Sequence, residues 1–217
     1  VACAAAREML VGEHGVSRVI ARPFIGSPGA WVRTANRKDF SLLPPGTTLL
    51  DRLASVHLPV IGVGKVDDLF ASRGVRSIHA ATNAEAYGLI EGGLAAMRRG
   101  LLFANVIEFD QSWGHRNDVA GFAAGLRELD RVIPRLRKAA RDEDLIILTA
   151  DHGNDPTTPS TDHARERVPI LVLGPRVRPT ALGERATFAD VGQTIAEFLG
   201  VPPLDAGTSF LREVWTG

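Results

Sequence analysis

Apolar residues recur along this chain in two rhythms. The runs PVIGVG (59–64), LLFANVIEF (101–109), DLIILTA (144–150) and VPILVLG (168–174) are apolar throughout, as strands buried on both faces are. Between them, apolar positions fall three and four apart, the spacing of one buried helix face. TTLLDRLAS (47–55) reads as a helix capped by a threonine, and DDLFASRG (67–74) as a short helix stopped by Gly74. NAEAYGLIEGGLAAMRRG (83–100) reads as a helix capped by Asn83, basic in its last turn and ended by Gly100. Val119, Phe122, Leu126, Leu129, Ile133 and Leu136 trace a further buried stripe, with Pro134 expected to kink it. TFADVGQTIAEFLG (187–200) carries Thr187 and Asp190 at capping-box spacing and Gly200 as its stop. Apolar strands alternating with amphipathic helices predict an α/β domain: a parallel-rich sheet with helices on both faces.

The first 46 residues follow neither rhythm as clearly. VACAAAREMLVGEHG reads as a helix already under way, with no initiator Met and no cap before Ala2. That start predicts a fragment whose N-terminal part of the fold is missing. SRVIA (17–21) is a short β-branched run, and the Gly-, Pro- and Arg-rich stretch from Arg22 to Gly46 is expected to be an irregular, functional loop. Pro44-Pro45-Gly46 is the most plausible boundary in the chain.

Composition narrows the function classes. The 25 basic and 25 acidic residues cancel, which gives no electrostatic case for nucleic acid or an anionic membrane surface. No apolar run approaches the roughly 20 residues that cross a bilayer. Cys3 is the single cysteine of the 217 residues, so no internal disulfide can form and a reducing cytoplasm is expected.

Chemistry concentrates after two of the apolar runs. EFDQSWGHRND holds Asp110 and His115, and TADHGNDPTTPSTDHARE holds Asp151, His152 and His163. In open α/β sheets, ligands gather beyond the carboxyl ends of the strands. Asp110 is expected at one strand end and Asp151-His152 at another, on one edge if the strands are parallel. Mixed imidazole and carboxylate donors suit Zn2+ or Mn2+, and five exceed what one four-coordinate ion takes from protein. They point to a two-metal phosphoryl-transfer site. His14, His57 and His79 have no such company and read as surface or packing residues.

EFDQSWGHRND, TADHGNDPT, TDHARERVP and ARPFIG…RTANRKDF, with the ending LGVPPLDAGTSFL, resemble the phosphopentomutase family of the alkaline phosphatase superfamily. The resemblance implies an alkaline-phosphatase-like core over residues 47–217 and the remnant of an α/β cap domain over residues 1–46. It implies interconversion of ribose or deoxyribose 1-phosphate with the 5-phosphate, in a cytoplasmic enzyme of nucleoside metabolism, with a sugar bisphosphate as activator. Two Mn2+ ions, or Zn2+ or Mg2+ in their place, would be bound. One would be held by Asp110, His115 and His163. The other would be held by Asp151 and His152, with an aspartate and a phosphothreonine that both lie outside this chain. No catalytic nucleophile is therefore assigned here. Arg22, Arg37 and Lys65 would bind substrate phosphate. From their proximity in sequence to the donors, Arg116, Asp118 and Asn154 are expected to orient the ligands. The alternatives are another metal-dependent phosphatase or phosphomutase of the superfamily, or an inactive metal- and phosphate-binding fragment.

Overall fold

Two small antiparallel ladders form within the first 46 residues in the computed structural model, which describes residues 1–34 and 36–217. Ala35, in the RTANRKDF stretch, lies outside the described residues. Helix α1 (Ala2–Met9) packs on β1 (Arg18–Ala21), which pairs with β4 (Lys38–Ser41) from Arg18↔Ser41 to Ala21↔Lys38. Between them β2 (Phe24–Ile25) and β3 (Val32–Arg33) form a hairpin. The expectation of irregular chain is corrected: strands of two to four residues are too short to show alternation among so many Gly, Pro and Arg residues. Ser41 Oγ donates to the Asp68 carbonyl at 2.6 Å, tying this region to the chain beyond Gly46.

Beyond Gly46 the two rhythms become a layered α/β unit. Thr48 caps α2 (Leu49–Ser55) in a capping box with Asp51, whose carboxylate accepts the Thr48 N–H at 2.6 Å. Arg73 donates to that carboxylate at 2.8 Å and to the Pro44 carbonyl at 3.1 Å, pinning the Pro-Pro-Gly connector. Strand β5 (Val60–Val63), helix α3 (Val66–Leu69), strand β6 (Arg76–Ile78), helix α4 (Asn83–Ala96) and strand β7 (Leu101–Ala104) come next. They build a parallel sheet in the order β6-β5-β7. Strand β6 has no counterpart in the expected pattern, because Arg76 and Ser77 interrupt its apolar character at the sheet edge. The α4 cap is Thr82, whose Oγ1 accepts the Glu85 N–H at 3.2 Å, not Asn83. That helix stops at Ala96, so Arg98 and Arg99 lie past its last turn.

Adjacent residues of β7 choose opposite layers, as the pleat requires. Leu101 packs with Leu50 and Leu53 of α2, whereas Leu102 packs with Val63 and Ala86 beneath α4. Helix α6 (Ala189–Leu199) joins α2 on the first face through Ala196 and Leu199. Helix α5 (Val119–Ala139) joins α4 on the second, where Val132 and Leu136 meet Tyr87. The helix continues through Pro134. Its buried line is Gly125, Val132 and Leu136, while Val119 and Leu126 of the expected stripe are exposed.

Strands β8 (Ile146–Leu148) and β9 (Leu171–Leu173) pair antiparallel, and among the described residues they bond only to each other. The parallel part of the sheet is thus confined to three strands among the described residues. Gly200, with φ 71°, ends α6 as its position implies. The Thr187–Asp190 capping box does not form, because the buried Asp190 carboxylate turns inward. It accepts from Arg185 Nε at 2.9 Å and from the Thr208 N–H at 2.8 Å, anchoring the segment before α7 (Leu211–Val214).

Candidate metal centre

Strands β5 and β7 run parallel, so their carboxyl ends share one edge. Gly64 turns the chain there with φ +85°, where a Cβ would lie 2.3 Å from the Asn105 carbonyl oxygen. Lys65 comes directly after it. On the β7 side the strand stops at Ala104, earlier than LLFANVIEF suggests, because Asn105 N–H takes the Val63 carbonyl and β5 offers no further partner. The chain then coils into a π-helical turn, Phe109–Trp113, and a 3-10 turn, Gly114–Arg116. Asp110 therefore rides on a helical turn beyond the sheet, and His115 on the next.

The other donors arrive on one loop. His152 and His163 flank an isolated antiparallel bridge in which Gly153 N–H donates to Ala164 O at 3.1 Å and Ala164 N–H to Gly153 O at 2.8 Å. That bridge brings the two imidazole centroids to 3.9 Å. Within the loop, Asp155 accepts from the Thr157 hydroxyl at 2.6 Å and its N–H at 2.9 Å, which holds the Asp155 carboxyl below its ordinary range. Asn117 Nδ2 donates to the Thr158 carbonyl at 3.1 Å, fastening the loop to the turn that carries His115.

The imidazoles converge on a single carboxylate oxygen. Nε2 of His163, His115 and His152 lies 3.1, 3.2 and 4.0 Å from Asp110 Oδ1. His152 Nε2 also stands 3.7 Å from Asp151 Oδ1, placing that ring between the two carboxylates. The ligand atoms of Asp110, His152 and His163 all lie within 4.8 Å of one another. Asp151 is the outermost of the five, its side chain 69 % exposed.

The remote nitrogens define the chemistry. His115 Nδ1 lies 2.5 Å from the Thr161 carbonyl, and His152 Nδ1 3.2 Å from the Gly153 carbonyl. A carbonyl only accepts, so each Nδ1 carries a proton, which in a neutral imidazole leaves the Nε2 lone pair on the side of Asp110. A lone pair facing a carboxylate oxygen is repelled unless a proton or a metal cation lies between them. Anchoring one ring nitrogen to a carbonyl while the other meets an ion is the usual arrangement of metal-bound histidine. The donor set thus fits a divalent cation at the usual bond lengths of about 2.0–2.2 Å.

The three candidate phosphate residues are not gathered in the same way. Lys65 Nζ donates to Gln111 Oε1 at 2.9 Å, one residue from Asp110. Burial lowers its pKa, as do the charges of Arg37 and Arg18, against the opposing pull of Asp68 and Asp39. Arg37 is engaged by Asp39 through two bonds of 2.7 and 2.8 Å, with Arg18 on the same carboxylate at 3.2 Å. Arg22 sits elsewhere, lining an open groove with Phe24, Trp31 and Arg33. Of the orienting candidates, Arg116 donates to the Gln111 carbonyl, whereas Asp118 caps α5 by accepting the Gly121 N–H at 2.8 Å. The Asn154 amide is buried against Gly114.

Some residues at this edge carried no signal in the sequence. His79 is not without company: its Nε2 lies 2.9 and 3.2 Å from the two Asp67 carboxylate oxygens. Burial pushes the Asp67 carboxyl up, but bonds from His79 and Ser77 outweigh it and hold it below the ordinary range. Gln111 and the Thr161 carbonyl lie next to recognisable donors, yet nothing in their residue types marks them.

Residues 60–203 match the model of the Metalloenzyme superfamily. A phosphopentomutase of Caldanaerobacter subterraneus subsp. tengcongensis is 51 % identical over 98 % of this chain and 54 % of its own length. Phosphopentomutases of Anaeromyxobacter sp. (strain K) and Dictyoglomus thermophilum are 52 % and 50 % identical, over 98 % and 99 % of this chain and 54 % and 55 % of their own lengths. The chain spans about half the length of the curated relatives it matches. Among solved structures, a phosphoglycerate mutase of Leishmania mexicana superposes with a TM-score of 0.59 at 19 % identity, over 74 % of this chain and 38 % of that one. A Pyrococcus horikoshii protein gives 0.51 at 16 %, over 66 % of this chain and 45 % of its own. These likenesses place the fold in the alkaline-phosphatase-like α/β class. No described helix is long and apolar enough to cross a membrane.

Proposed function

This chain belongs to the Metalloenzyme superfamily, and from that premise we propose that it works as the metal-binding part of a phosphopentomutase, interconverting ribose or deoxyribose 1-phosphate and 5-phosphate. The observation that carries the reading is identity of about half the residues to phosphopentomutases across 98 % of the chain, with the convergent Asp110–His115–His152–His163 cluster inside the matched region. Residues 47–217 are assigned to the metal-binding core and residues 1–46 to a substrate-clamping cap. The single, free Cys3 suits a reducing cytoplasm.

Asp110, His115 and His163 are assigned to one Mn2+, and Asp151 and His152 to a second that also draws on groups outside these residues. Bound there, the divalent pair supplies neutralisation of charge on the phosphoryl group in transfer. The Thr161 and Gly153 carbonyls hold His115 and His152 in the tautomer that leaves Nε2 free. Lys65, already held beside Asp110 through Gln111, can present its ammonium to a phosphate at the same edge. Arg37 and Arg22 are assigned to substrate phosphate, Arg37 by exchanging one of its Asp39 bonds. The phosphoryl carrier is assigned to a threonine outside these residues.

A chimera tests the reading: these 217 residues replace the matching span of the Caldanaerobacter phosphopentomutase. It is expected to convert ribose 1-phosphate to ribose 5-phosphate in the presence of Mn2+, and His163→Ala to reduce that to background. A folded chimera that binds Mn2+ but leaves ribose 1-phosphate unchanged overturns the assignment.

A further inference from the structure

The π-helical turn that carries Asp110 begins at a buried polar clasp. Asn83, the first residue of α4, is 1 % exposed. Its backbone N–H donates to Glu108 Oε2 at 2.6 Å, and its side-chain Oδ1 accepts the Glu108 N–H at 3.1 Å. Two residues 25 apart thus exchange a pair of hydrogen bonds, one from each backbone to the other's side chain. Glu108 immediately precedes the turn, two positions before Asp110.

The surroundings make this clasp costly to keep as mere decoration. The Asn83 amide nitrogen bears on the Tyr87 hydroxyl, and neither atom finds a well-formed partner among the described residues. Tyr87 is itself buried, and burial, with Glu128 and Glu108 nearby, pushes its hydroxyl up to about 12. Helix α4 already has a cap in Thr82, so Asn83 is not required to start it. A buried amide whose polar groups are only partly satisfied costs stability. What the clasp does accomplish is geometric. It satisfies the backbone N–H of the residue that leads into the turn and fixes where the turn leaves the sheet. Asp110 Oδ1 then falls among three imidazoles, one from the next turn and two from the loop at 151–164.

We propose that Asn83 and Glu108 are positioning residues for the metal centre, locking the π-helical turn so that Asp110 meets His115 and His163 at bonding distance of one ion. The inference rests on the metal reading above and adds to it two residues that touch no ligand atom. Removing either side chain frees the turn, so affinity for the ion falls even where the fold survives. Partners that orient metal ligands at one remove typically change affinity by about 10- to 100-fold.

The test is calorimetric titration of this protein with Mn2+, wild type against Asn83→Ala, Glu108→Ala and Glu108→Gln, each with its melting temperature. Expected are a dissociation constant raised about 10-fold or more in both alanine variants at unchanged stoichiometry, and near-wild-type affinity in Glu108→Gln, which keeps an acceptor for the Asn83 N–H. A structural role alone would lower the melting temperature and the bound fraction while leaving the dissociation constant as it was. That result overturns the positioning role and leaves the metal reading standing. Absence of Mn2+ binding in the wild type overturns both. Glu108 is only half-buried, so its alanine variant gives the answer if Asn83→Ala does not fold.

Discussion

His152 and His163 face each other at 3.9 Å between ring centroids because their neighbours, Gly153 and Ala164, exchange both backbone hydrogen bonds. One isolated bridge therefore does for this loop what a strand pair does elsewhere. It turns a separation along the chain into a contact, and it leaves the residues between to form the Asp155–Thr157 turn.

Ala164→Pro tests that dependence. Proline removes the N–H that donates to Gly153 O at 2.8 Å and leaves that carbonyl without its backbone partner. His163 then loses its fixed place beside His152. Mn2+ affinity by calorimetry is expected to fall by about 10-fold or more, with little change in the melting of the core, which lies among α2, α4, α5 and α6.

Gly125→Ala tests the other wall. Trp113, the last residue of the π-helical turn, lies against α5, so that a Cβ at Gly125 would fall 2.2 Å from its ring. Phe109 and Phe122 complete the packing, with centroids 5.2 Å apart. An added methyl must push the indole aside, an overpacking change that costs about 1–3 kcal/mol. Urea unfolding should register that loss. Mn2+ affinity should weaken with it, because Asp110 sits on the displaced turn.

Asp39 sets a pH dependence for the N-terminal ladder. The Arg37 hydrogen bonds hold its carboxyl below the ordinary range against the cost of burial, and Arg18 adds to the effect. The folded ladder therefore binds fewer protons at this site than the unfolded chain does. Its contribution is fully present above the usual carboxylate pKa of about 3.9 and is lost as pH falls through the lowered folded value. Arg37 is 37 % exposed, so solvent screening keeps the effect at about 1 kcal/mol or less. Hydrogen-exchange protection of β1 and β4 should decline over that acid range in the wild type. In Asp39→Asn it should already be lower at neutral pH and lack the acid step.

The α/β class was legible because its determinants are local. Thr48 and Asp51 cap α2, Gly200 stops α6, and Leu101 and Leu102 belong to a run apolar enough to be buried on both faces. Strand β6 was not, since Arg76-Ser77-Ile78 is held in the sheet only by its neighbour β5. Nor was the antiparallel sense of β8 and β9, because an apolar run carries no direction. The five metal donors stand out by residue type and spacing. Their grouping around Asp110 Oδ1 does not, for it depends on the Gly153–Ala164 bridge and the Thr161 carbonyl, backbone features with no residue code. Arg37 shows the reverse: it is conspicuous in the sequence, yet its guanidinium is already spoken for by Asp39.

The donors around Asp110 come from segments of the chain that few other bonds connect, the turn at 109–116 and the loop at 151–164. An ion seated among them is therefore also a crosslink. Ligand present at a hundred times its dissociation constant shifts a folding equilibrium by about 2.7 kcal/mol, a sizeable share of what holds a domain of this size together. Cation supply would then govern not only whether the site can act but how long the loop around it survives proteolysis.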